Sequence, residues 1–238
     1  MEQEIKIKTK DNHIIYGTRN WQGKHKRTLL IFVHGLTGSS REHQYFNAVP
    51  FFTKKGFDTF RFDFYSRKPN GRQLSDTCVT IHVNDLKLVL NKFQDKYKNI
   101  FLIGHSLGAL VILKSNLSGI KKIVLWDPTK GFTNTKDKFI TYNKSLNKYI
   151  LRWGKETLAN KKMINEWAEA REPGKIIRKL DTPIKFIFAE SGTHKHWLPY
   201  LKMIKPKNDY VIIRGSSHNF CEEGTEEKLF EETLKWIV

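Results

Sequence analysis

The sequence predicts an α/β fold built on a mostly parallel β-sheet with an antiparallel start. Short strand-like runs alternate with segments of helical spacing through most of the chain. The first two runs alternate polar and apolar residues on either side of Asp11-Asn12, which is typical of a β-hairpin. A chain of 238 residues can bury one sizeable core, so we expect a single domain over residues 1–238.

Eight segments have the composition and length of strands. They are residues 4–10, 13–19, 28–35, 57–64, 99–105, 121–127, 184–190 and 210–215. The third is almost continuously apolar, as expected of a strand that is covered on both faces. From the third strand onward helical segments lie between the strands, and such connections favour parallel pairing.

Three segments have the apolar spacing of helices. Residues 83–97 carry apolar side chains on one face, from Leu86 to Tyr97. Residues 106–116 are short and mostly apolar, which predicts a buried helix. Residues 225–238 combine an apolar stripe with acidic residues in the first turn, where the helix dipole favours negative charge.

More than fifty residues separate the sixth predicted strand from the seventh, far more than a usual connection. Leu146, Tyr149 and Trp153 recur at spacings of three and four, and Met163 with Trp167 repeats this pattern. We therefore expect two or three helices in an insertion of about residues 128–180. This helical cap should lie above the carboxyl ends of the strands, where α/β sheets bind ligands, and line an acyl pocket.

The net charge of +18 raises the question of a nucleic-acid partner. The lysines are spread along the whole chain, which is typical of a solvated surface, so we do not expect nucleic acid to bind. No apolar run is long enough to span a bilayer, and the first ten residues lack the apolar core of a signal peptide. We expect a cytoplasmic protein in which Cys78 and Cys221 are reduced.

Residues 104–108 read Gly-His-Ser-Leu-Gly at the junction of a predicted strand and a predicted helix. A serine in so tight a turn adopts a strained backbone conformation that exposes its hydroxyl. The flanking positions then come too close to their neighbours for side chains, so glycines occupy them. This pattern in this context predicts a nucleophile at Ser106.

The motif and three further segments follow one another as they do in the α/β-hydrolase superfamily, which the chain resembles over nearly its whole length. These segments are HGLTGSSRE (34–42), FDTFRFDF (57–64) and GSSHNF (215–220). The first is similar to small bacterial serine esterases of the feruloyl and cinnamoyl type. The resemblance implies an eight-stranded, mostly parallel sheet with helices on both faces, and acyl-ester substrates cleaved without a cofactor or a metal.

The same resemblance implies roles for individual residues. His218, which follows the last strand, corresponds to the base that takes the proton of Ser106. The backbone N–H groups of Leu107 and Leu36 correspond to the two donors of the oxyanion hole. For His34 we expect hydrogen bonds that hold the loop and no proton transfer.

The sequence leaves two candidates for the acid that orients the base. Related hydrolases carry it after the seventh strand as Gly-x-x-Asp, where this chain has Ala189 and Gly192. The nearest carboxylate there is Glu190. Some branches of the fold use the end of the sixth strand instead, where Asp127 precedes Pro128. We favour Asp127, with Glu190 as the alternative.

The sequence thus predicts a serine hydrolase that cleaves small carboxylic esters or thioesters through an acyl-enzyme. The serine excludes the dehalogenases and epoxide hydrolases of this fold, which use an aspartate nucleophile. C–C hydrolases, perhydrolases and amidases use the same three residue types and stay open. The alternative from a different functional class is a binding protein that has lost catalysis. The irregular loop after the seventh strand favours this alternative.

Overall fold

The computed structural model describes residues 1–23, 27–132, 139–153 and 155–238, and these residues contain eleven strands. The strands are β1 (Glu2–Lys8), β2 (Ile14–Asn20), β3 (Thr28–Val33), β4 (Asp58–Asp63), β5 (Asn99–His105), β6 (Ile120–Trp126), β7 (Ile140–Asn143), β8 (Lys148–Trp153), β9 (Lys155–Ala159), β10 (Ile184–Ala189) and β11 (Asn208–Ile213). Eight of them form one sheet in the order β1-β2-β4-β3-β5-β6-β10-β11, and β7, β8 and β9 form a second sheet.

The eight-stranded sheet confirms the predicted fold class. β1 pairs antiparallel with β2, and β2 pairs antiparallel with β4. All other neighbours in this sheet are parallel. Asn12, in the β1–β2 turn, has a φ of 65°, a left-handed conformation that asparagine tolerates. Because β3, β4, β5, β6, β10 and β11 are parallel, their carboxyl ends meet at one edge of the sheet.

The described residues contain seven α-helices. They are α1 (His43–Lys54), α2 (Val79–Phe93), α3 (Leu107–Leu113), α4 (Lys161–Ala168), α5 (Pro173–Ile177), α6 (His194–Leu201) and α7 (Thr225–Ile237). The sequence prediction missed α1 and α6. Each contains a proline, Pro50 in α1 and Pro199 in α6, and proline disfavours helix interiors.

Each face of the large sheet has its own apolar cluster. α1 and α7 cover one face, where Phe52 and Phe230 pack in the same cluster as the fully buried Trp126 of β6. The indole N–H of Trp126 donates a hydrogen bond of 2.9 Å to the hydroxyl of Thr233 in α7. α2 and α3 contribute to the other cluster with side chains such as Leu86. The sheet is therefore covered by helices on both faces.

The insertion between β6 and β10 is only partly helical. α4 and α5 supply helices in its second half, but residues of its first half form the antiparallel sheet β7-β8-β9. The helical reading of 146–153 was therefore wrong. A spacing of four residues returns to one face in a helix and in a strand alike, so Tyr149 and Trp153 fit β8 equally well. Residues 133–138 and Gly154 of the predicted insertion lie outside the described residues.

None of the helices in the described parts of the chain combines the length and apolar composition that a bilayer-spanning segment needs. Cys78 is buried and Cys221 is exposed, and both have free thiols.

Helix α3 lies against β3 and β5 at two positions that have no side chain. A Cβ atom at Gly108 would lie 2.1 Å from the carbonyl oxygen of Val33 in β3. A Cβ atom at Gly104 would lie 2.6 Å from Ile112 and 2.9 Å from the backbone nitrogen of Ala109. All three separations are shorter than a real Cβ atom would allow, so the two glycines are required for the close approach of helix and sheet.

The variant Gly108→Ala should lose about 3 kcal/mol of unfolding free energy, because α3 must move away from the backbone of β3. Urea denaturation measures this loss. Gly174→Ala in α5 is the matched control, since its Cβ would lie no closer than 3.3 Å to its nearest neighbours, the side chains of Tyr200 and Met203. We expect the control to stay within about 1 kcal/mol of the parent. Equal stability of the two variants would contradict the packing argument.

Candidate active site

Ser106 occupies the sharp turn between β5 and α3. Its backbone has φ 52° and ψ −117°, a conformation that a residue other than glycine adopts only when it is strongly constrained. Three backbone hydrogen bonds hold it there. Its N–H donates to Trp126 at 3.1 Å, and its carbonyl accepts from Ala109 at 3.2 Å and Thr129 at 3.1 Å. These bonds offset the strain and present the hydroxyl at the carboxyl edge of the sheet.

The structure brings three predicted site residues into one hydrogen-bonded series. Nε2 of His218 lies 2.9 Å from the hydroxyl oxygen of Ser106. Nδ1 of the same ring lies 2.5 Å from Oδ2 of Asp127. His218 follows β11, and Asp127 follows β6. The aspartate is fully buried, whereas the histidine side chain is 40% exposed, so the ring connects the interior to the open cleft.

Backbone donors surround the second carboxylate oxygen of Asp127. Oδ1 accepts hydrogen bonds from the N–H of Thr193 at 3.0 Å and from the N–H of Ala189 at 3.3 Å. The hydroxyl of Thr193 lies 3.1 Å from the same oxygen and 2.7 Å from the carbonyl of Pro128. A buried carboxylate is tolerated only when such partners replace water. Ala189, the last residue of β10, and Thr193 in the loop that follows thus hold the carboxylate of Asp127 in place.

Gly192 leaves room for the carboxylate of Asp127 near the end of β10. A Cβ atom at Gly192 would lie 2.3 Å from Oδ1 of Asp127. The position where related hydrolases carry their aspartate is therefore filled by the carboxylate that comes from β6. Glu190, the alternative candidate, accepts a hydrogen bond of 2.8 Å from the N–H of Gly215. Its carboxylate joins two loops, while Asp127 contacts the imidazole.

His105 links the turn to the loop that carries His218. Its Nε2–H donates to the backbone carbonyl of His218 at 2.8 Å, and the two ring centroids are 4.7 Å apart. Burial, with a smaller contribution from the neighbouring His218, lowers the pKa of His105 to about 3. The ring is therefore neutral at physiological pH and acts as a hydrogen-bond donor. Sequence reasoning did not find this contact, since the pattern around Ser106 constrains only the glycines.

His34 has the structural environment that the sequence predicted for it. Its Nε2 accepts a hydrogen bond of 3.1 Å from the N–H of Phe64. Nδ1 must then carry the proton, and it lies 2.8 Å from the carbonyl oxygen of Gly35. Burial lowers the pKa of His34, so the ring stays neutral. Both contacts fix the loop that follows β3.

The predicted oxyanion donors flank Ser106. Leu107 is the first residue of α3, and Leu36 lines the same cleft as Ser106. Gly35 lets the loop approach, because a Cβ there would lie 3.1 Å from Cβ of Ser106. Within the described residues, neither the N–H of Leu36 nor that of Leu107 donates a hydrogen bond to the protein.

A cleft of about 1420 Å³ extends from Ser106 to the insertion. The insertion contributes apolar walls, and these are Leu146, Ile150, Trp153, Leu158 and Trp167. Trp167 is fixed by a hydrogen bond of 2.7 Å from its indole N–H to the hydroxyl of Thr129. Its ring also lies 5.9 Å from those of Phe132 and Trp153. Strands and helices of the insertion therefore line part of the cleft.

A sheet of this order, with a serine exposed at a strand-to-helix turn and facing a histidine, defines a hydrolase of α/β architecture. The chain belongs to the alpha/beta hydrolase family, whose model matches residues 30–228. No curated protein matches the sequence.

Several solved structures share the fold at low identity. Est1E from Butyrivibrio proteoclasticus, with ferulic acid bound, has a TM-score of 0.79 at 17% identity, over 98% of this chain and 97% of that chain. The esterase domain of a Rhodothermus marinus protein has a TM-score of 0.74 at 13% identity, over 99% of this chain and 97% of that chain. Dienelactone hydrolase from Anabaena variabilis has a TM-score of 0.68 at 12% identity, over 99% of this chain and 96% of that chain. The chain thus resembles bacterial esterases in its fold.

The variant His105→Gln should be less sensitive to acid than the parent. The pKa of His105 is about 3 in the folded chain and about 6.5 in an unfolded one. Between these pH values the unfolded chain binds one more proton, so stability falls as the pH falls, by at most about 1.4 kcal/mol per unit. Glutamine does not titrate and keeps a donor for the carbonyl of His218.

Urea denaturation of both proteins between pH 7.5 and pH 4.5 measures the difference in slope. Near-ultraviolet circular dichroism at pH 7.5 verifies that the variant is folded. Parallel pH profiles for parent and variant would show that His105 is not the group responsible.

Proposed function

We propose that the protein is a serine esterase that cleaves carboxylic esters or thioesters through an acyl-enzyme. The observation that carries this proposal is the continuous series from the hydroxyl of Ser106 through His218 to Asp127, with 2.9 Å and 2.5 Å between successive groups. The esterase neighbours support the same reaction class.

In the first step Nε2 of His218 accepts the proton of Ser106, and Oγ of the serine forms a bond to the substrate carbonyl carbon. Nδ1 keeps its proton because it donates to Asp127, so only Nε2 is available as the base. The carbonyl oxygen becomes an oxyanion, which the N–H groups of Leu36 and Leu107 stabilise. The negative charge of Asp127 stabilises the imidazolium that forms.

In the second step the imidazolium of His218 returns its proton to the leaving alcohol or thiol, and the carbonyl bond to that group breaks. Ser106 is left acylated. Water, deprotonated by the same Nε2, then attacks the acyl carbon. The carboxylic acid leaves, and Ser106 regains its proton, which restores the starting state.

The cleft supports a substrate with two sizeable parts. Its volume of about 1420 Å³ exceeds that of ordinary small-molecule pockets, which reach roughly 1,000 Å³. Apolar side chains of the insertion, among them Ile150 and Trp167, suit the apolar part of an ester. Ferulic acid, which is bound to the structural neighbour Est1E, is an example of such an acid. We propose a small-molecule ester with an apolar acyl group.

The alternative of a non-catalytic binding protein loses its main argument. It was favoured by a loop after the seventh sheet strand that lacks the usual aspartate. The contact between Gly192 and Asp127 accounts for that departure, because the carboxylate from β6 fills the space. No residue of the proposed reaction is missing from the chain.

A covalent test addresses the whole proposal. The parent protein should react with a fluorophosphonate probe and hydrolyse p-nitrophenyl esters, and Ser106→Ala should lose both, with kcat reduced about 10⁵-fold or more. Ser115→Ala is the matched control, because the hydroxyl of Ser115 bonds to the carbonyl of Val111 in α3. Mass spectrometry locates the label. A folded parent that neither reacts with the probe nor cleaves any ester would overturn the esterase proposal.

A pair of isosteric variants tests the choice of acid. Asp127→Asn should lower kcat by about 10⁴-fold, since the amide can no longer stabilise the imidazolium of His218. Glu190→Gln should retain activity within about threefold, because the amide oxygen of glutamine can accept the hydrogen bond from the N–H of Gly215 in place of the carboxylate. Steady-state kinetics on one p-nitrophenyl ester decides. The reverse pattern would assign the acid to Glu190.

A further inference from the structure

Three hydrogen-bond donors contact the carbonyl oxygen of Gly35. Nδ1 of His34 lies 2.8 Å from it, the hydroxyl of Tyr65 donates to it at 3.3 Å, and the N–H of Gly38 donates to it at 3.3 Å. A carbonyl has two lone pairs, so three donors saturate this acceptor. The peptide plane that contains the carbonyl is thereby held in one orientation.

That plane also contains the N–H of Leu36. The described chain has no cis peptide bonds, and in a trans peptide the C=O and the following N–H point in opposite directions. Donors that fix the direction of the Gly35 carbonyl therefore also fix the direction of the N–H of Leu36, which is opposite to it. Hydrogen bonds to the carbonyl also polarise the peptide, which makes its N–H a stronger donor.

The loop needs such restraint because its conformation is not relaxed. Thr37 has a φ of 62°, in the left-handed region that β-branched residues avoid. The same loop packs Gly35 against Ser106, where a Cβ would lie at 3.1 Å. A loop held in a strained conformation returns to another arrangement when its restraints are removed.

Tyr65 supplies a restraint from outside the loop. It lies two residues beyond β4, and its ring meets the ring of His34 edge to face, with centroids 5.2 Å apart. Burial raises the pKa of Tyr65 well above 10, and the backbone N–H groups of Thr37 and Gly38 lie near its oxygen. The hydroxyl is therefore neutral and can donate to Gly35. Phe64, the preceding residue, fixes His34 through its N–H at 3.1 Å.

We propose that Tyr65 is a positioning residue of the oxyanion hole, whose hydroxyl, together with His34, holds the Gly35–Leu36 peptide so that the N–H of Leu36 faces the reacting carbonyl oxygen. This inference rests on the proposed esterase function. Tyr65 acts through the peptide and forms no bond to the reacting atoms. Its effect falls on the transition state, in which the oxygen carries charge, and not on the bound substrate.

The variant Tyr65→Phe removes the hydroxyl and keeps the ring against His34. With a p-nitrophenyl ester we expect kcat to fall about tenfold, less than the loss of about 10²–10³-fold that follows removal of a donor itself. KM should stay within about twofold. Inhibition by a trifluoromethyl ketone, which forms a charged tetrahedral adduct on the serine, should weaken by the same factor as kcat, while inhibition by the product carboxylate should not change.

Tyr16→Phe is the matched control. Tyr16 donates its hydroxyl to the carbonyl of Pro69 at 2.7 Å, so this variant also loses one tyrosine-to-backbone hydrogen bond. It should keep the kcat and the ketone affinity of the parent. Thermal melting of both variants measures the structural effect of each loss.

Three results would overturn the inference. The first is an unchanged kcat and ketone affinity in Tyr65→Phe while the parent is active, which removes the positioning role and leaves the esterase proposal intact. The second is a fall in activity that matches a smaller folded fraction and affects both inhibitors equally, which indicates a structural role. The third is a parent without reaction towards the fluorophosphonate probe, which overturns both proposals together.

Discussion

The hydrogen bond between His218 and the buried carboxylate of Asp127 is the interaction on which the rest of the site depends. It connects β6 to the loop after β11 across the end of β10, which lies between them in the sheet. A buried charge must be matched by donors, and these are the N–H groups of Ala189, the last residue of β10, and of Thr193 in the loop that follows. Three loops therefore share one carboxylate, and none of them can move without disturbing it.

The remaining histidines of the site serve as neutral supports. Burial lowers the pKa of both His34 and His105, so each keeps a fixed hydrogen-bond role. His34 ties the loop after β3 to the end of β4, and His105 ties the serine turn to the backbone of His218. His218 differs because its side chain reaches the cleft. The ring that exchanges protons in the proposed reaction is thus supported by rings that do not.

The insertion shows how one fold acquires a distinct cleft. It combines the sheet β7-β8-β9 with α4 and α5, and its side chains Trp153 and Trp167 line the same cleft as Ser106. Trp167 is held both by Thr129, close to the end of β6, and by its aromatic neighbours. The wall of the cleft is therefore anchored to the same strand end that supplies Asp127. Thr129, which holds this wall, and Asp127 thus lie in the same short segment.

The sequence by itself determined the order of the eight sheet strands along the chain and the strand-to-helix turn at Ser106, because these depend on local periodicity and on glycines at fixed spacing. It predicted His218 from its place after the last strand and left Asp127 and Glu190, each at a strand end, as candidates for the acid. Only the tertiary structure brought Asp127 rather than Glu190 to the imidazole, because that contact joins strands far apart in the chain. The same holds for β8, whose four-residue spacing fits a helix as well as a strand, and for the contacts of His105, Tyr65 and Gly192, which arise where separate loops meet.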